Sequence, residues 1–250
     1  MKSLRRQLPL LVTVILSGVA LWHGPIAQLA NYHDFADQAI VLGLPHFADV
    51  LSNLGFALLA VWGWVQLAPH RWHPGIANGW AGYRLFLIGL FLTAIGSSYY
   101  HLDPDNARLV WDRLPIALAC GGLLAGVWGD TRQRQSVGLT AWLALAAVLS
   151  VAWWHFTERA GAGDLRPYLL LQGLPLVLIP LWQWIYEMPR ADRRAFGAAL
   201  LLYVVAKLAE LNDHEIAALL GAPSGHTLKH LLATAAAGLV VARLVRRARA

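Results

Sequence analysis

The chain has 250 residues and a formal net charge of +6 at pH 7, with 58% hydrophobic but only 14% charged residues. An average soluble domain carries about 25% charged residues, so this composition excludes an ordinary soluble domain and predicts a membrane protein. The basic residues form short clusters between apolar runs, which argues against nucleic-acid binding. The single cysteine, Cys120, excludes an internal disulfide and a cysteine-based zinc site.

Eight apolar segments approach the ~20 residues that cross a bilayer as a helix. We therefore expect an all-α integral membrane protein, a seven-transmembrane-helix bundle with an extra N-terminal transmembrane helix. The domains are then residues 1–29, a transmembrane helix or signal anchor, and residues 30–250, the membrane domain. The small-x-small stretch Gly18-Val19-Ala20 is a poor cleavage site because Trp22-His23 follows it, so an uncleaved helix is favoured over a secretory signal. The segments are 8–24, 48–68, 82–101, 109–128, 137–156, 167–186, 195–213 and 226–245.

The distribution of basic residues predicts the orientation of these segments. If the N-terminus lies inside and the segments alternate in direction, fourteen of the 20 Lys and Arg residues fall in inside loops. Of the 14 acidic residues, only Asp130, Glu187 and Asp192 fall there. We expect both termini in the cytoplasm, in a bacterial inner membrane. The inside basic residues are Lys2, Arg5, Arg6, Arg71, Arg84, Arg132, Arg134, Arg190, Arg193, Arg194, Arg243, Arg246, Arg247 and Arg249.

Polar residues gather at the outer ends of three apolar segments. Ser97 and His101 close the third, Asp112 opens the fourth, and His226 and His230 open the eighth. Ser97 and His101 are four residues apart, as are the two later histidines, so each pair shares one face of a helix. Three segments distant in sequence thus bring polar groups to one depth, which predicts a site near the outer face.

Three histidines with an open fourth position are typical of a catalytic zinc site. Zinc lowers the pKa of bound water towards ~7, and Asp112 would then act as general base on that water and as acid to the leaving group. Ser97 would hydrogen-bond the water or the substrate oxyanion. The bland interpretation is that histidines four apart are common on ordinary helices, and that Asp112 and Arg113 form an interfacial ion pair.

Three motifs carry a resemblance to a known family. They are Gly96-Ser97-Ser98-Tyr99-Tyr100-His101, Trp111-Asp112-Arg113-Leu114-Pro115, and Ser224-Gly225-His226-Thr227-Leu228-Lys229-His230. Together they resemble the signature of the alkaline ceramidase family, Ser-x-x-x-His, a later Asp and a C-terminal His-x-x-x-His. That family shares a superfamily with the adiponectin and progestin receptors. The resemblance covers about residue 30 to the C-terminus.

The resemblance implies a seven-helix core with zinc held by His101, His226 and His230. It also implies that Ser97 and Asp112 support hydrolysis of ceramide, or a related N-acyl lipid, to an amine and a free fatty acid. The chain is more similar to prokaryotic members, because it has an extra N-terminal segment. Its region 31–49 matches the acidic calcium-binding segment of the eukaryotic enzymes poorly.

Two further questions stay open at the level of sequence. Asp34, Asp37 and Asp49 are candidate calcium ligands, although a solvated loop is the favoured interpretation. The alternative function is a receptor-like membrane protein whose zinc joins helices without turnover, and a transporter ranks last because the polar groups crowd one end. Among other polar residues, Lys207 and Glu210 are expected to pair, and Ser52 and Asn53 to hydrogen-bond between helices.

Overall fold

The computed structural model describes residues 2–250, with side chains from residue 4 onward, so the side chain of Lys2 used in the orientation argument lies outside it. Within that range the regular structure consists of helices, with no strand. A short 3-10 helix, Ala68–His70, extends α3. The α-helices are α1 (Lys2–His23), α2 (Phe47–Ser52), α3 (Leu54–Leu67), α4 (Trp80–Leu102), α5 (Asn106–Arg132), α6 (Val137–Arg159), α7 (Arg166–Ile185), α8 (Arg190–Leu211), α9 (Asp213–Leu220) and α10 (Gly225–Ala248).

Seven helical stretches are long and apolar enough to cross a membrane, which confirms the all-α membrane bundle. One of them, Phe47–His70, combines α2, α3 and the 3-10 helix. The predicted segment 195–213 covers most of α8 and reaches the first residue of α9. Helix α8 qualifies as an eighth span only together with α9, and the two helices meet at an angle of 84°. The short helix α9 was not predicted, because its eight residues are too few for a spanning segment.

Helices α4 and α5 pack closely because α4 presents a glycine on every second turn. A β-carbon at Gly82 would meet the backbone of α5 at Gly126, and one at Gly89 would meet Ala119. Small residues let helix backbones approach where the lipid supplies no hydrophobic drive for association. This contact sets the last turn of α4, with its serine and histidine, beside the first turns of α5.

Helices α4 and α5 approach each other most closely at the level of Ser97 and Asp112. Pro115 sits inside α5 and has no N–H to donate, so the carbonyl of Trp111 loses its usual helical partner. Gly96 lies against that same carbonyl, where a β-carbon would clash with it. The two residues together bring Ser97 on α4 and Asp112 on α5 to adjoining positions.

Helix α1 lies outside the bundle and packs on α7, and none of the residues in its apolar window is buried. Its C-terminal end is tied down by Arg166, whose guanidinium donates to the carbonyls of Ala20 and Leu21. The helix therefore adds a lipid-facing layer and contributes nothing to the cavity described below.

Candidate metal centre

Three histidines meet at one end of the bundle. His101 comes from the last turn of α4, and His226 and His230 come from the first two turns of α10. Each offers one ring nitrogen, and the three nitrogens lie within 4.8 Å of one another. All three residues are at most 4% exposed. Small rotations about the side-chain bonds would bring such nitrogens onto a single ion.

His101 is the least satisfied of the three. It is 0% exposed, and neither of its ring nitrogens has a hydrogen-bond partner within the described chain. A buried polar atom without a partner costs ~1–3 kcal/mol, and such atoms are rare in native proteins. A cation that accepts a lone pair from the imidazole would remove this cost. The residues present thus fit a metal ion.

His230 is oriented by a hydrogen-bonded chain from α2. Its Nδ1 lies 2.8 Å from Ser52 Oγ, and that hydroxyl donates at 3.0 Å to the backbone carbonyl of Asp49. Because the hydroxyl hydrogen is already used, the imidazole Nδ1 is the donor in this pair and Nε2 keeps its lone pair. Outer partners of this kind fix the tautomer of metal-binding histidines. The predicted interhelical role of Ser52 is confirmed, whereas the amide of Asn53 donates within its own segment to Asp49.

His226 has a charged neighbour that the sequence argument overlooked. Lys229 Nζ lies 2.7 Å from His226 Nε2, one turn along α10. The ammonium must move aside before that nitrogen can bind a metal ion. The backbone N–H of His226 donates to the buried carboxylate of Asp213 at 2.7 Å, and the other carboxylate oxygen accepts from the N–H of Ala36. Asp213 therefore fixes the start of α10 against the segment that follows α1.

That segment covers the histidines with an aromatic ring. Phe35 is 3% exposed, and its ring centroid lies 4.6 Å from that of His101 and 4.5 Å from that of His226. The ring excludes water from one side of the site and strengthens electrostatic interactions within it. Nothing in the sequence around Phe35 signals this role, because the contact joins residues far apart in the chain.

Ser97 and Asp112 reach the site through a shared cavity. Together with His230 they line a cavity of about 1150 Å³, including its mouth. Ser97 is 1% exposed and its hydroxyl has no hydrogen-bond partner in the described chain. The structure thus brings all five predicted site residues to one end of the bundle, three of them as possible ligands and two on the adjoining wall.

The cavity runs from the histidines deep into the bundle. Its walls come from α4, α5, α7, α8 and α10 and are mostly apolar. Along α8 it extends from Glu210 to Phe196, which at 1.5 Å per helical residue is about 21 Å. A long apolar cavity beside a few polar groups is typical of a site for an amphipathic small molecule.

Arg113 does not form the ion pair with Asp112 that the bland interpretation supposed. Its guanidinium lies 4.0 Å from the ring centroid of Trp154 and also faces Tyr32 and Tyr168. Its Nε and Nη1 have no hydrogen-bond partner in the described chain. Cation–π contacts of this kind join α5 to α6 and α7, and they leave the carboxylate of Asp112 to the cavity.

The candidate calcium ligands lie apart and have separate partners. Asp37 accepts hydrogen bonds from the backbone N–H groups of Ala48 and Asp49 at the start of α2. Asp49 is buried and accepts from the hydroxyl of Thr227 at 2.5 Å. Asp34 is exposed, 3.4 Å from the exposed His214. Among the described residues, the three histidines form the one group of side chains close enough to share a metal ion.

A further acidic residue at this end of the bundle is structural. Asp164 accepts hydrogen bonds from Arg166, from the indole of Trp153 and from the backbone N–H of Ile26. The hydrogen bonds from Arg166 in particular hold the pKa of Asp164 below its usual range. The residue links α6, α7 and the segment after α1.

No family model, no curated protein and no solved structure matches this chain.

Proposed function

We propose that the protein is a zinc-dependent membrane hydrolase that cleaves the amide bond of ceramide or a related N-acyl lipid. The observation that carries the proposal is His101, buried with both ring nitrogens unpartnered, beside two further histidines. The adjoining cavity favours a lipid over a water-soluble substrate, because its walls are apolar for most of its length. The resemblance of the three motifs to the alkaline ceramidases favours an amide bond in particular.

Three nitrogen ligands and an open position are the usual donor set of catalytic zinc. When bound there by His101, His226 and His230, zinc would supply Lewis acidity and lower the pKa of water to near neutrality. His230 would bind through Nε2, since Ser52 occupies its Nδ1.

The cavity wall supplies the remaining roles. The acyl chain would lie along α5 and α8, with its carbonyl between Ser97 and the histidines. Ser97 has a free hydroxyl hydrogen to donate to the carbonyl oxygen as charge develops there. Asp112 would accept a proton from the attacking water and return it to the leaving nitrogen. The C–N bond breaks, a C–O bond forms, and the products are a fatty acid carboxylate and a free amine.

The distribution of basic residues supports an orientation for the protein in its membrane. We propose a bacterial inner membrane with both termini in the cytoplasm and the histidines near the outer face. The loops at the opposite end carry most of the basic residues, including Arg71, Arg132 and Arg190. Accessibility of single introduced cysteines to a membrane-impermeant reagent, in a Cys120→Ala background, tests this orientation.

The decisive experiment combines metal analysis with a panel of N-acyl lipids on one sample of pure, zinc-loaded protein. We expect one zinc per chain and release of fatty acid from at least one lipid of the panel. Folded protein that holds no zinc, or that holds zinc and cleaves no lipid amide, would overturn the proposal.

A structural role for zinc is the second candidate, because the three histidines join α4 to α10 and a bound ion would hold these helices together. The substitution Asp112→Ala separates the two functions. If Asp112 is the proton carrier, the variant keeps zinc and the wild-type melting temperature but loses ~10²–10⁴-fold in kcat. If zinc is structural, Asp112→Ala leaves the biological activity intact, and His230→Ala unfolds the protein.

A further inference from the structure

Two lysines face the cavity beside the histidines. Lys207 on α8 and Lys229 on α10 both pair with Glu210, at 2.7 Å and 3.0 Å respectively. Each lysine takes a different oxygen of that carboxylate. All three side chains line the same cavity as Ser97 and His230. The sequence predicted the pairing of Lys207 with Glu210, but not the second lysine.

The cluster carries one more positive than negative charge. Each oxygen of Glu210 accepts a hydrogen bond from one lysine, so a single carboxylate serves two ammonium groups. Asp112 also lies on the cavity wall, but it forms no ion pair with either lysine in the described chain. Lys229 Nζ lies beside His226 Nε2 as well as Glu210, whereas the hydrogen bond of Lys207 Nζ goes to Glu210 alone, so Lys207 has more of its donors left for a ligand. The side chain of Lys207 is also 39% exposed against 12% for Lys229.

An unbalanced ammonium in the wall of an apolar cavity is costly in a membrane protein and usually marks a substrate path. The ammonium of Lys207 has three N–H donors, and Glu210 accepts a hydrogen bond from one of them. A hydrogen bond from such a donor to an anion is roughly twice as strong as one to a neutral acceptor. A ligand with an anionic group near the histidines would satisfy Lys207, whereas the hydroxyls of a neutral head group would satisfy it poorly.

We infer that the substrate is an N-acyl lipid whose amine portion carries an anionic group, which Lys207 binds with help from Lys229. This inference rests on the proposed function and narrows its substrate class. In an N-acyl amino acid the carboxylate is one carbon from the amide nitrogen, so an amide held at the histidines places the carboxylate beside Lys229 and Lys207. Water then converts an N-acylglycine into a fatty acid carboxylate and glycine.

A matched pair of substrates tests the inference. N-oleoylglycine and N-oleoylethanolamine share the acyl chain and the amide, and differ in a carboxylate against a hydroxymethyl group. We expect zinc-loaded wild-type protein to show a kcat/KM at least about tenfold higher for N-oleoylglycine, as for one added charge-assisted hydrogen bond. Ceramide 1-phosphate and ceramide form a second pair, which differs in a phosphate. Comparison of the kcat/KM ratios of the two pairs shows whether the site prefers a phosphate or a carboxylate.

The variant Lys207→Met removes the available ammonium and leaves Glu210 paired with Lys229. It should lower the preference for N-oleoylglycine by about tenfold, and Lys207→Gln should do the same if methionine disturbs folding. Arg159→Met is the control, because Arg159 is an exposed cation at the same end of the bundle and does not line the cavity. Arg159→Met removes the same charge as Lys207→Met but should keep the wild-type preference for N-oleoylglycine. A loss of preference in both variants would mean that net charge, and not Lys207, sets the preference.

A binding measurement separates this inference from the proposed function. Cys120, the single cysteine, lines the cavity, so an occupied cavity should slow its reaction with N-ethylmaleimide. If no lipid is cleaved, the proposed function fails, but stronger protection by N-oleoylglycine that Lys207→Met abolishes still supports the anion site. The inference is overturned if both lipids of each pair are cleaved at equal rates and protect Cys120 equally. It is also overturned if Lys207→Met keeps the wild-type preference for the anionic lipid.

Discussion

Both ends of the bundle bury polar side chains, but the hydrogen bonding of those side chains differs between the two ends. At the end remote from the histidines, Asp130 is 2% exposed and accepts from the hydroxyl of Tyr83, the N–H of Gly79 and Arg247. Asp192 there pairs with Arg243 at 2.6 Å. At the histidine end, Ser97 and His101 are equally buried and have no hydrogen-bond partner in the described chain.

Folding stability explains the paired side chains around Asp130, but it does not explain the unpaired Ser97 and His101. Buried polar groups are paired in native proteins, and the network around Asp130 follows this rule while it joins α4, α5 and α10. Unpaired groups persist where function requires them. The contrast fits a structural role for the network around Asp130 and supports the proposed ligand-binding role of the unpaired groups at the histidine end. Each of the following substitutions tests one side of this comparison.

The largest effect is expected for His101→Ala. Loss of an outer partner of a metal ligand costs ~10–100-fold in metal affinity, so loss of the ligand itself should cost more and should abolish lipid hydrolysis. Zinc content by mass spectrometry after dialysis against a weak chelator measures the change. His214→Ala is the control, because His214 is an exposed histidine on α9. Retention of zinc by His101→Ala with wild-type affinity would contradict the assignment of the site.

At the opposite end, Asp130→Asn should lower the free energy of unfolding by ~1.5–3 kcal/mol, as for a hydrogen bond to a charged group, because Arg247 loses the nearer of its two buried carboxylates and keeps Asp192 at 4.0 Å. Zinc stoichiometry should not change. Asp103→Asn is the matched control, since Asp103 is an exposed residue whose ion pair with Arg108 should contribute ~0–1 kcal/mol. Thermal or denaturant unfolding in detergent gives both values. Equal destabilisation by the two variants would remove the structural half of the comparison.

A smaller effect is expected for Ser52→Ala. The variant frees Nδ1 of His230 without removing the imidazole, so zinc affinity should fall ~10–100-fold. Ser52→Thr should restore much of the loss, since it keeps the hydroxyl. Competition with a chromogenic chelator measures the affinity, and an unchanged value in Ser52→Ala would show that the hydrogen bond does not orient the ligand.

The sequence predicted most of the fold because the membrane imposes a simple rule on it. Each spanning segment must be apolar over about 20 residues, and each of the eight predicted segments overlaps a long helix or a broken helical stretch of the structure. The break at Asn53 between α2 and α3 and the separate helix α9 were missed. Their positions depend on hydrogen bonds such as that from the N–H of His226 to Asp213, which local composition does not reveal.

The candidate site was partly visible for a similar reason. Spacing of four residues on a helix fixes a shared face, so Ser97 with His101, and His226 with His230, were recognisable in pairs. Lys229 also carried a signal, as a charge between two histidines in an apolar helix. Ser52 was recognisable as a residue that hydrogen-bonds between helices, but its partner His230 was not, and Phe35 carried no signal, because both contacts with the histidines join distant parts of the chain.

By itself the sequence determined the helical membrane architecture and the depth at which its polar residues lie, since both follow from periodicity and hydropathy along single helices. Only the tertiary structure decided which polar groups are satisfied and which remain unpaired. In the structure Ser52 hydrogen-bonds to His230, the guanidinium of Arg113 lies over the ring of Trp154, and two lysines pair with Glu210. These outcomes depend on how helices pack against one another, and packing between distant segments leaves no periodic trace in the sequence.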